Sequence, residues 1–102
     1  MAAPYDKDSY MPLACFAFEA LSVAASSTPF TATTAIAAKM AVAKVEGAQI
    51  RYRTDGTAPT ATVGVLADPG DVLTVWGSAD CLAIRFIRTG GTSATLNTEY
   101  FK

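Results

Sequence analysis

The segment V45EGAQIRYRTDGTAPTATVGVLADPGDVLTVWGSADCLAIRFIRTGGTSATLNTEYF101 decides the fold class. Ile50 and Tyr52 alternate with Arg51 and Arg53, and Asp55-Gly56 follows as a turn whose glycine tolerates positive φ. Ala61–Leu66 is the next short strand, and Asp68–Asp71 turns through Pro69-Gly70. Val72–Trp76 is rich in β-branched and aromatic residues, and Gly77–Asp80 turns again. Leu82–Arg88 places Leu82, Ile84 and Phe86 on one face and Arg85 and Ile87 on the other, before Gly90-Gly91 ends the run. In Ser93–Phe101, Leu96 and Tyr100 share a face opposite Thr95, Asn97, Glu99 and Phe101. Strands recurring every eight to twelve residues or so leave no room for crossover helices, so the chain reads as an antiparallel β-sandwich or barrel.

Upstream, Leu13–Ala25 opens with Phe16 and Phe18 alternating against Cys15, Ala17 and Glu19, which predicts a first strand. Ser26–Thr34, rich in hydroxyls around Pro29, reads as a loop or edge segment pinned to the core by Phe30. Ala35–Glu46 has two readings. An alanine-rich helix capped by Gly47 is one; a strand from about Lys39 to Val45 is the other, with Ile36, Met40 and Val42 sharing one parity and mostly alanine with Val45 on the other face, and the strand-rich context favours it. Residues 1–12 form a polar arm carrying Tyr5, Tyr10, Pro4 and Pro12, and residues 13–102 form one domain.

At 102 residues and 51% apolar composition the chain can bury a single core, though much of that fraction is alanine, which contributes little area. Eight basic and nine acidic residues give a net charge of −1, which argues against direct nucleic-acid binding or attraction to an anionic membrane. The N-terminus lacks the basic and apolar regions of an export signal, and the longest apolar run, Met11–Phe18, is far shorter than the roughly twenty residues of a membrane span. A soluble protein made in the cytoplasm is expected. Cys15 and Cys81 fit neither a metal knuckle nor a disulfide framework and read as buried free thiols.

With no histidine, neither a Ser-His-Asp nor a Cys-His arrangement can be built, and the imidazole ligand of zinc is missing. Asp68 and Asp71 are turn chemistry rather than a carboxylate pair or a calcium loop, and RTGGT lacks the ending of a phosphate loop. No catalytic, cofactor-binding or metal residue is expected. Arg51, Arg53, Arg85 and Arg88 are either a solvated face pairing with acids across the sheet or part of an interface. Asp55, Asp68, Asp71 and Asp80 lie in a stretch without basic residues; separate acidic and basic patches suit packing between identical copies, and pairing within one chain explains them equally well. Trp76, Tyr52 and Phe86 read as core aromatics; a sugar-binding site would need such rings exposed.

From about Glu46 to Phe101 the sequence resembles small virion structural proteins of tailed bacteriophages, on the elements Ile50-Arg51-Tyr52-Arg53, Asp55-Gly56, Pro59-Thr60, Gly70-Asp71 and Phe86-Ile87-Arg88. The resemblance implies an all-β, jelly-roll-like sandwich of the capsid decoration or cement type. Such a protein is non-enzymatic and sits on the capsid surface of the virion. It bridges subunits of the major capsid protein, often as a homo-oligomer, with a trimer favoured. A head-tail adaptor or tail protein is the alternative within the virion, and a carbohydrate- or receptor-binding module lies outside that class. On this reading Tyr5, Tyr10, Arg51, Arg53, Asp55, Arg85 and Arg88 are the interface candidates.

Overall fold

A computed structural model describes residues 13–102, and within them eight strands pair into two four-stranded antiparallel sheets. The strands are β1 (Cys15–Val23), β2 (Thr28–Pro29), β3 (Met40–Glu46), β4 (Ile50–Arg53), β5 (Val65–Ala67), β6 (Val72–Trp76), β7 (Arg85–Arg88) and β8 (Ala94–Phe101). Two short helices, α1 (Ala32–Ala35) and α2 (Ser78–Ala83), interrupt them. The first sheet runs β1-β8-β3-β6 and the second β2-β7-β4-β5. In the pairs β1·β8, β2·β7, β3·β6 and β4·β5 the strand numbers sum to nine, which is the pattern of one long two-stranded ribbon rolled over on itself. This is the jelly-roll order, and it makes the domain a sandwich rather than a barrel.

Burial follows the two-residue period. Along β8 the pattern alternates strictly, with Ala94, Leu96, Thr98 and Tyr100 inside, and this central strand pairs with both β1 and β3. The hydroxyl of the buried Thr98 donates to the Leu96 carbonyl, so no donor is stranded. On β3 the inward face is Ala41, Ala43 and Val45, while Met40 and Val42 point out. The segment is a strand, as expected, and of its two faces the one of alanine and Val45 is buried. Register with β8 decides the matter: Ala41, Ala43 and Val45 lie opposite the buried Tyr100, Thr98 and Leu96, and small alanines let the sheets approach.

Three expectations are corrected. A β-bulge between Cys15 and Ala17 puts Phe16 out of phase with Phe18, so Phe16 packs on the core edge whereas Phe18 faces solvent. The strand expected over Leu82–Arg88 begins only at Arg85, because α2 absorbs Leu82 and Ala83; the helix starts after Gly77, whose φ of 86° favours glycine. The strand expected at Ala61–Leu66 is confined to Val65–Ala67, since residues 60–63 turn through the Thr60 hydroxyl, which accepts from the amides of Thr62 and Val63.

Candidate functional site

The sandwich has two flanks, and they are finished differently. On the β1/β2 side the rings of Phe30, Phe86 and Tyr100 close the core, with centroids 4.9 Å (Phe30 to Phe86) and 5.4 Å (Phe30 to Tyr100) apart. The Tyr100 hydroxyl donates to Glu19 Oε1, and Glu19 also accepts from the amide and hydroxyl of Thr31, tying β1 to the segment after β2. Burial, followed by the hydrogen bond and negative charge of Glu19, pushes the Tyr100 phenol well above its ordinary range.

On the β5/β6 side the edges of the two sheets leave a groove of about 470 Å³. Val65, Tyr52 and Thr54 line one wall, and Thr74, Trp76 and Asp80 the other. Trp76, expected in the core, is instead 62% exposed. Strand parity explains it: Val75 and Leu73 occupy the inward positions of β6, so Val72, Thr74 and Trp76 face out. Val63, Val65, Leu66, Val72 and Trp76 are all exposed large apolar side chains on β5, the turn before it, or β6. Of the lining residues, only Tyr52 and Asp80 are titratable, and Thr54 and Thr74 lie among Val65, Val72 and Trp76, so the groove offers ring and aliphatic faces together with hydroxyls.

The arginines divide. Register sets Arg53 opposite Arg85 and Arg51 opposite Ile87, so Arg51, Arg53 and Arg85 do not act as one cluster with Arg88, which pairs with Ile50 and donates to Ser93 Oγ. Arg51 is engaged within the domain. Its guanidinium donates to the carbonyls of Ala61 (3.1 Å) and Gly64 (2.8 Å) and holds the 54–64 loop. A Cβ on Gly64, at φ 137°, would stand 3.1 Å from Pro59 Cβ and from the Tyr52 carbonyl, so the loop lies tight against β4. Arg53 forks onto Asp55, and that hydrogen bond, with another from the Thr57 amide, holds the Asp55 carboxyl below its usual range. Both ends of this pair are open to water, where it contributes little to stability. Arg85 makes no ion pair among the described residues. Tyr5 and Tyr10 lie outside the described residues.

Asp68 and Asp71 act within their turn: Asp71 Oδ2 accepts from the Asp68 amide at 2.7 Å and Asp68 Oδ1 from Gln49 Nε2 at 2.7 Å. Among the described residues no three acidic, cysteine or histidine side chains gather to hold a metal, and no helix is long and apolar enough to cross a membrane. Of the two free thiols Cys81 is buried, and burial, then Asp80, pushes its pKa up; Cys15 is exposed, contrary to the expectation, because it precedes the bulge on an edge strand.

Sequence reasoning missed the apolar flank. A signal was present in VLTVW, a strand without the lysine or proline that usually guards an exposed edge. Comparison of the chain with protein-family models, curated proteins and solved structures finds no match.

Proposed function

We propose that this chain is a non-enzymatic structural protein that works by contact with other polypeptides, as a capsid decoration or cement protein bridging coat subunits of a phage head. One observation carries the contact role: five of the seven exposed large apolar side chains among the described residues lie on β5, the turn before it, or β6, and three of them, Val65, Val72 and Trp76, line one groove. The virion setting rests on the sequence resemblance of residues 46–101, and the jelly-roll order is compatible with it. Many weak contacts repeated over a shell add up to mechanical resistance. Quantitative mass spectrometry of virions carrying this chain tests the reading: copies on the order of hundreds are expected, about six or twelve would move the protein to the neck or tail, and absence from the particle would end the proposal.

A second reading has its own observation. Trp76 is exposed beside the groove, with Asp80, Thr54 and Thr74 offering hydroxyl and carboxylate partners, an arrangement that suits a pyranose ring stacked on the indole. Specific glycan-array binding abolished by Trp76→Ala would favour this reading over cement.

A further inference from the structure

We infer that β6 pairs with β6 of a second copy of this chain, antiparallel about a two-fold axis at Thr74, joining two first sheets into one of eight strands. The inference rests on the contact role of the β5/β6 flank proposed above, but not on the virion setting.

Among the described residues β6 is the last strand of its sheet, and its hydrogen-bonding phase is fixed at both ends. The Val45 amide donates to the Asp71 carbonyl (2.9 Å) and the Gly77 amide to the Lys39 carbonyl (2.8 Å). Alternation along an antiparallel ladder turns the backbone groups of Leu73 and Val75 toward β3 and those of Val72, Thr74 and Trp76 toward the open edge. A two-fold axis at Thr74 sets Thr74 opposite the partner's Thr74 and Val72 opposite the partner's Trp76. All three residues then fall at hydrogen-bonded positions, so each outward N–H meets an outward carbonyl. On the outer face the pairing covers Val72, 58% exposed, with the partner's indole, and the reverse.

Charge agrees with this occupant. VLTVW carries none, so nothing repels along the edge. One step further Asp71 comes opposite the partner's Gly77, which has no side chain, and the partner's Lys39 lies one strand beyond, about 10 Å away across two strand spacings, so opposite charges face each other twice per dimer without direct contact. A single short strand gives a small interface, so association is weak, at about micromolar Kd or above.

Sedimentation of the full chain from about 5 to 500 µM tests it, a range that brackets such affinities. The weight-average mass should rise from 10.6 kDa toward twice that value. Thr74→Pro removes an amide that points off the edge, a position where proline is tolerated, and should weaken association roughly tenfold or more with the circular dichroism unchanged. Should that variant fail to fold, Trp76→Lys, altering an exposed side chain, serves as the second arm, with the same roughly tenfold loss expected. A chain that stays monomeric at the top concentration overturns the pairing, as does undiminished association in the variant that folds. Hundreds of copies per virion together with a monomer in solution would sink the pairing and leave the structural role standing.

Discussion

The two flanks of the sandwich differ in how they meet water. The β1/β2 flank is closed by three rings and by Glu19, whose hydrogen bonds satisfy the buried Tyr100 hydroxyl and anchor Thr31. The β5/β6 flank has its largest ring, Trp76, turned outward beside a groove. Each flank carries one very short strand, β2 on the first and β5 on the second, so strand length does not separate them. Phe18 on β1 also faces solvent, so what separates them is how the space between the sheet edges is filled: three inward rings close it on the first flank, whereas on the second it stays open as a groove beside Trp76. Stability should therefore reside on the first flank and contact on the second.

The largest expected effect is on the closed flank. Phe86→Ala removes the ring that packs on Phe30 and should cost about 3–5 kcal/mol. A domain of this size has about 5–15 kcal/mol in total, so urea denaturation should show a midpoint far below wild type, or a chain largely unfolded in buffer. A loss under about 1 kcal/mol would mean the closed flank is not the core described here.

Tyr100→Phe is the next test, and it should cost about 1–3 kcal/mol because Glu19 loses a buried donor. The sign of its pH dependence follows from the raised phenol. Folded Tyr100 keeps its proton while the unfolded side chain loses it above about pH 10, so this contribution is full below that pH and is lost as pH rises through it. The buried Cys81 thiol acts in the same direction from about pH 8.5. Denaturation midpoints measured from about pH 7 to 11 should fall on the alkaline side, and Tyr100→Phe should fall less steeply above about pH 10. Parallel curves for the two proteins would contradict the burial of this phenol.

The smallest effect belongs to the open flank. Trp76→Ala should change monomer stability by no more than about 0.5 kcal/mol, despite deleting the largest side chain in the protein, because the indole is mostly in water. A cost of about 2 kcal/mol or more, of the kind core deletions carry, would erase the difference between the flanks.

Much of this fold is legible in the residues, and the lapses have physical causes. Period-two alternation in Ser93–Phe101 specifies the central strand face by face, since it is flanked by a strand on each side and one of its faces is buried throughout. On β3 the alternation is equally clear, but alanine and larger apolar residues occupy opposite faces, and hydropathy chooses the larger; close approach of the sheets chooses the smaller. Trp76 misleads for a related reason, because its size suggests a core ring whereas parity with Val75 turns it out. The arginines are legible as two possibilities. Arg51 proves to be internal, holding the Ala61 and Gly64 carbonyls, a role that depends on a loop path no local pattern encodes. Asp55 with Arg53 is local, two residues apart, and sequence spacing suffices to suggest it.

Amide hydrogen exchange along β6, read residue by residue by NMR in dilute protein, tests the open flank most directly. The Leu73 and Val75 amides, directed at β3, should exchange slowly, while those of Val72, Thr74 and Trp76 should exchange close to the rate of an unstructured chain. Uniform protection along the whole strand at low concentration would mean that this edge is already covered within the monomer, and the division between a closed and an open flank would fail.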